Sequence, residues 1–455
     1  MIYKFKNGFI KQFFISKTTF NLSISPCKSN EIFWRKPRVN IVLKRHYQSN
    51  NHYYFYHQPS FRKKLLLTYF TQLTILKNQN LKNLSTLQSV CSFILFVTIA
   101  FSSQKIAAQG CVAIKGNATS CMSIHADSTN VSGWQFASSG RYFRSFRHFS
   151  GTEENKDRLI QKTEVINYTS VFNLSLTRIL SNRWSVMVDV PISNNVRSSL
   201  YEHGLVNGTY VKKERHSTSS FGLGDIRFAA YRWILEPAKN LKGNIQLGLG
   251  IKLPTGDYNY KDYWYNVGPN GTKELRTVDQ SIQLGDGGTG FTFELNTFCN
   301  FIENFGVYGN FYYLINPREQ NGTRTYRETL SPRLANEAIM SVPDQYMFRA
   351  GFNYSVNQIK GLSIAAGARL EGIPVNDLVG GSGDFRRPGY IWSVEPSVNY
   401  EYKKVVLFAS VPFAVVRNRT QSATDKENSI TTGKHVQGDA AFADYTINVG
   451  ISTRF

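Results

Sequence analysis

His148 and Ser150, in the stretch "RHFSG", are the residues best spaced for chemistry. Two apart on a strand, an imidazole and a hydroxyl share one face. A nucleophilic serine needs a base in hydrogen-bond reach, and the base needs an orienting partner. The pair therefore raises ester hydrolysis as one reading. No H-E-x-x-H, P-loop or C-x-x-C motif occurs, so neither a metal nor a cofactor is expected. Cys111 and Cys121 stand ten apart in "GCVAIKGNATSC", with only His125 near them. In an oxidising compartment a small disulfide loop is the expected reading, with Cys299 free and facing outward.

The elements around these residues are strands. From Trp134 onward, alternating segments of 12–18 residues are separated in turn by tight turns and long polar loops. The first is 134–149, "WQFASSGRYFRSFRHF", and the last is 440–455. Between them "EVINYTSVFNLSLTRIL" turns at 181–183 into "WSVMVDVPIS". "FGLGDIRFAAYRWIL" turns through 236–242 into "GNIQLGLGIKLP", and later pairs turn at 303–304, 357–360 and 403–404. Long loops are expected at 197–218, 257–288, 318–342, 375–388 and 418–438. Twelve strands result. In 389–402 Tyr390, Trp392, Val394, Val398, Tyr400 and Tyr402 fall on one face, and Ser393, Glu395, Ser397, Asn399 and Glu401 on the other. A soluble sandwich also alternates, but its strands run five or six residues. These match the roughly 9–11 residues of a tilted membrane-crossing strand with a few to spare.

The front of the chain reads differently. Residues 1–82 hold 15 Lys/Arg against Glu31 alone, which accounts for most of the net charge of +22. Lys82, an apolar run Val90–Phe101 and the small-residue exit "KIAAQ" form a secretory signal peptide over 81–109, with cleavage after Ala108 or Gln109. The apolar run is too short to span a bilayer as a helix. Residues 1–80 are expected to be a spurious or disordered basic leader, because a signal peptide works near a chain start. Export removes the nucleic-acid reading of the charge.

Short turns at one end, long loops at the other, an even strand count and a signal peptide predict an all-β fold. It is a transmembrane antiparallel up-and-down β-barrel over 134–455, preceded by a periplasmic segment 110–133. The ending "DYTINVGISTRF" fits this scheme. A last strand that closes the barrel cannot fray, and closure removes exposed edges. Its terminal Phe455 resembles the signature that the barrel-assembly machinery reads in bacterial outer-membrane proteins.

One stretch carries a closer resemblance. Gly222, Gly224 and Asp225, then Gly250, Lys252, Pro254, Thr255, Gly256 and Asp257, form a "G-x-G-D" strand followed by a "G-x-K-x-P-T-G-D" strand end. This pattern resembles the outer-membrane transporter family associated with meta-pathway phenol degradation, in a Bacteroidetes-type variant. The resemblance implies an outer-membrane channel that passively admits small solutes, aromatic or apolar ones included. It is not an enzyme, and it names no particular solute. The outer-membrane phospholipase, also a twelve-stranded barrel, uses His-x-Ser-Asn-Gly. The run from His148 to Gly151 lacks that Asn, which leaves the oxyanion and calcium surroundings incomplete.

The inward face carries Asp189, Asp225, Arg227, Lys252, Glu294, Arg349, Arg369, Glu371 and Glu395. These charges either form salt bridges that prop the wall or make a constriction that selects solutes. "RYFRSFRHFS" sets Arg141, Arg144 and Arg147 three apart, beside His148 and among aromatic residues. At the outer rim such residues suit lipid and lipopolysaccharide phosphates; solute binding is a second reading, and no role a third. The partners expected are membrane lipid, the assembly machinery and a small solute, with no nucleic acid.

Overall fold

The computed structural model describes residues 132–455 apart from 204, 207, 208, 211–213 and 384. The leader, the signal peptide and the Cys111–Cys121 pair lie outside the described residues. Twelve antiparallel strands form one closed wall. They are β1 (Gly133–Ser150), β2 (Ile166–Ile179), β3 (Trp184–Ser199), β4 (His216–Leu223 and Arg227–Trp233), β5 (Gly243–Lys252) and β6 (Gly290–Ile302). The remaining six are β7 (Phe305–Ile315), β8 (Gln345–Ser355), β9 (Leu362–Ile373), β10 (Gly389–Tyr402), β11 (Val405–Ser410 and Phe413–Arg419) and β12 (Ala440–Arg454). β12 returns to β1, with Gln135 opposite Arg454 and Phe149 opposite Ala440. The last residue is stapled to the first strand: Trp134 N donates to Phe455 O at 2.8 Å and Phe455 N to Trp134 O at 2.9 Å.

The faces invert those of a soluble domain. Leu249, Phe291, Phe352, Val394 and Val449 are exposed on the outside, while Asn296, Arg349, Arg369, Glu395 and Asn448 are buried within. An apolar exterior around a polar interior is the membrane-barrel pattern. Cys299 is a free thiol on the outward face of β6, half-buried.

Three strands depart from the expected regularity. β4 begins at His216, earlier than expected, and breaks at 224–226. Gly222 there has φ +155°, and a Cβ on it would meet Leu284 at 3.0 Å. β11 breaks at Val411–Pro412, because proline has no N–H to give the ladder; Pro412 O instead accepts from Thr446 N at 3.1 Å. β1 shifts register against β12 at Phe143–Ser145 and again at Ser145–Arg147. In the loop expected at 418–438, Ala423–Thr432 is a helix with a Ser422–Asp425 capping box and Gly433 in the left-handed region at its end.

Candidate functional site

The lumen holds a stack of charged groups. At one level Arg369 and Glu371 project from β9, Glu395 from β10 and Arg349 from β8. Arg369 Nη2 lies 2.7 Å from Glu371 Oε2, and Arg369 Nη1 lies 3.8 Å from Glu395 Oε2. Arg349 Nη1 lies 3.1 Å from Glu395 Oε1. Arg349 also donates to Asn310 Oδ1 on β7 at 3.3 Å. All four charged residues are buried, Arg369 to 1% exposure and Glu395 to 2%. Arg141, from β1, donates to Asn448 Oδ1 at 3.2 Å and feels the charges of Arg369, Glu371, Glu395 and Arg349. Charged side chains thus project into the lumen at this level from β1 as well as from β8, β9 and β10.

A second level joins β4 and β6. Arg227 pairs with Glu294, and Tyr231 Oη donates to Glu294 Oε2 at 3.1 Å. The Arg227 guanidinium also lies 5.7 Å from the centre of the Tyr312 ring. Asp189 accepts from Ser175 Oγ at 2.5 Å.

The glycine-rich motif sits higher and works as a clasp across the break in β4. Asp225 Oδ1 accepts from Gly256 N at 3.0 Å, and Oδ2 from Asp286 N at 3.1 Å. Thr255 Oγ1 accepts from Ile226 N at 2.8 Å and donates to Gly224 O at 2.9 Å. Lys252 pairs with Asp286 and lies 3.6 Å from Asp225. Asp257 O accepts from Leu284 N at 3.2 Å, so the segment beyond Pro254 folds back over the mouth.

The long loops make the cap, which the sequence pattern did not reveal. Val278, Asp279, Ile282, Met340 and Val342 are fully buried there. Asp279 is the keystone. Arg387, from the loop before β10, grips both its oxygens at 2.9 and 2.7 Å, and Arg197, from the end of β3, lies 3.6 Å away. Burial opposes ionisation of Asp279, but Arg197 and Arg387 outweigh it and hold the carboxyl well below the usual range. Beneath the cap lies a chamber of about 120 Å³, lined by Asp189, Arg227 and Asn195 on one side and by Phe143, Tyr312 and Met340 on others.

The cap also contains an aromatic cluster. Trp264 stacks on Tyr326 with centroids 4.5 Å apart, His203 lies 5.1 Å from Trp264, and His216 stacks on Tyr265 at 4.6 Å. Burial, then the neighbouring His216 and Arg197, against Glu202, push His203 down to about 4. A base whose folded pKa is depressed contributes stability that is full above its ordinary value near 6.5 and is lost as pH falls from there toward 4. Hydrogen exchange at residues 259–266 should therefore speed up on acidification from about pH 7 to 5, relative to the barrel strands. His203→Phe should flatten that dependence; an equal pH response in the variant would show that another group carries it.

The basic segment of β1 needs correction. Only Arg144 is on the outer surface, with its guanidinium 4.2 Å from the Phe146 ring centre and 5.7 Å from that of Tyr168. Arg141 lies inside, within the charged network, and not at the rim. Arg147 turns to Glu154 at 2.6 Å and Asp444 at 2.9 Å. His148 is buried, with Nδ1 3.1 Å from Asp439 Oδ2 and Nε2 accepting from Val165 N at 2.9 Å. Arg141 and Arg147 share the inward side of β1 and Arg144 the outward one, as alternation places them; the two register shifts cancel between Phe143 and Arg147. In the His148–Ser150 pair, the ring nitrogen Nε2 that would take a serine proton accepts instead from the Val165 backbone amide. The imidazole is a tie between β1, the residue before β2 and the start of β12.

No family model matches the chain, and no curated protein matches it. Several solved barrels are similar in architecture. An outer membrane channel from Pseudomonas putida F1 shares 11% identity with a TM-score of 0.46, over 72% of this chain and 96% of that one. The translocator domain of the autotransporter NalP from Neisseria meningitidis shares 11% identity with a TM-score of 0.33, over 72% and 90%. The toluene transporter TodX of P. putida shares 10% identity with a TM-score of 0.32, over 73% and 93%.

Proposed function

We propose that the chain is an outer-membrane channel for the passive entry of small solutes, aromatic or apolar ones included, and not an enzyme. The observation that carries this is the capped chamber above a charge-lined lumen, inside a barrel whose exterior is apolar. A twelve-stranded barrel lies between the eight strands that side chains fill and the sixteen that leave a wide aqueous channel. The chamber is comparable to cavities of roughly 150 Å³ that accept benzene, and its wall mixes apolar side chains with hydrogen-bonding groups. The resemblance of the Gly222–Asp257 motif supports the same class. Export by the 81–109 signal, a mature start near Gly110, a Cys111–Cys121 bridge, Arg144 against lipopolysaccharide and Phe455 as assembly signal complete the reading.

Planar-bilayer and liposome-swelling measurements on refolded protein test it. Small, brief conductance steps are expected, with faster entry of single-ring solutes than of sugars. Large porin-like conductance, or impermeability to every small solute, would refute the channel. Release of fatty acid with Ca²⁺, abolished by Ser150→Ala, would restore the phospholipase reading.

A further inference from the structure

At the short-turn end of β1–β4 the outer surface carries the same cross-strand pair twice. Trp134 on β1 is directly opposite Arg178 on β2, and Trp184 on β3 is directly opposite Arg232 on β4. The Arg178 guanidinium lies 5.1 Å from the Trp134 ring centre, and that of Arg232 lies 5.3 Å from the Trp184 ring centre. Both indoles are exposed, at 40% and 46%. Among the described residues neither arginine has a carboxylate at ion-pair distance. Glu236, the acid of the adjoining turn, instead accepts from Asn182 at 2.8 Å. Six further cations, Arg183 through Lys404, lie in the short turns, against Glu236 and Glu303.

We infer that this rim binds the phosphodiester headgroups of anionic phospholipid in the leaflet at the short-turn end. A guanidinium laid on an indole is held in place by the ring while its planar N–H edge remains available for a phosphate. The indoles themselves belong at the boundary between headgroup and acyl chain. Arg178 is opposite Val186 and Arg232 opposite Trp184, so with strands about 4.8 Å apart and about 3.3 Å per residue the two stand roughly 12 Å from each other across β3. Each pair accordingly meets its own phosphate. Internal ion pairing does not explain these arginines, in contrast to Arg147 on the same sheet, which is held by two acids.

The site rests on the membrane-spanning reading above, and the test separates the two. The full chain is reconstituted into vesicles of phosphatidylcholine in which one lipid in four is phosphatidylglycerol, and lipid retained after gentle detergent extraction is quantified. Wild type should retain phosphatidylglycerol in excess of its share by roughly fivefold per arginine, the weight of one basic residue at an anionic surface. Arg178→Gln with Arg232→Gln should abolish the excess, while the double lysine variant should keep part of it. Heat-modified gel mobility verifies that each variant is a folded barrel. Insertion without any preference, or a preference that survives the double glutamine variant, overturns the lipid site and leaves the channel standing. Failure to insert into these vesicles overturns the membrane reading and the site with it.

Discussion

Arg369→Ala should be among the most damaging single substitutions in the barrel. The guanidinium serves Glu371 at 2.7 Å and Glu395 at 3.8 Å from a position only 1% exposed. Its removal leaves Glu371 without its close partner and Glu395 dependent on Arg349. Breaking a buried pair from one side costs about 3–5 kcal/mol, because a charge is left in low dielectric. Urea unfolding in detergent should read that loss. The lumen also becomes more negative, so reversal potentials in asymmetric salt should move toward cation selectivity. Arg369→Met combined with Glu371→Leu removes both charges and should recover much of the stability, since well-packed apolar replacements of ion pairs are often near neutral. Unchanged stability and unchanged ion selectivity in the Arg369→Ala variant would show that the network neither supports the wall nor lines the path.

Asp279→Ala should open the channel. Asp279 joins Arg387 of one loop to Arg197 at the end of β3, and it is completely buried. Without it Arg387 loses the carboxylate that grips it, while Arg197 keeps Glu202 at 2.6 Å, so the tie between the two loops and the end of β3 is cut. Single-channel steps should grow or lengthen severalfold, and trypsin should cut within 257–288 before the barrel unfolds. A folded variant with wild-type conductance and wild-type protease resistance would dismiss the cap as a barrier. The pH behaviour follows from the sign. A carboxylate depressed below its ordinary value contributes stability that is present above that value and is lost only as pH falls through the depressed one. The Asp279 latch therefore holds through mild acidity, where the His203 contribution is already fading.

Twelve strands, their inward and outward faces and the closing role of the last one were readable from period-2 alternation, because a wall with different solvents on its two sides writes that pattern into every strand. The facing of Glu395 and Arg369 follows directly from it. So do the inward Arg141 and Arg147 and the outward Arg144, since the two register shifts between Phe143 and Arg147 cancel. Pro412 marked its break openly, as a proline inside a strand does. Ser422, Asp425 and Gly433 likewise spelled out a capped helix, though its apolar periodicity was too weak to announce it. The cap was the real omission. Asp279, Arg197, Arg387 and His203 lie far apart in sequence, three of them in loops without any period. Only the closure of the barrel brings them together.

The Asp279 keystone also bears on how such a protein can change its surface. Loops on a rigid scaffold normally vary independently and can be exchanged one at a time. Here one loop carries the carboxylate and another carries a guanidinium, while a strand end supplies the second guanidinium. Grafting a foreign segment over 257–288 alone would take the Asp279 carboxylate away from Arg387 and leave Arg197 with Glu202 as its remaining carboxylate, in an otherwise intact host. The segments over 257–288 and 375–388 are therefore a single heritable unit. A chimera built for a new surface epitope should transplant them as a set, together with the residue at position 197.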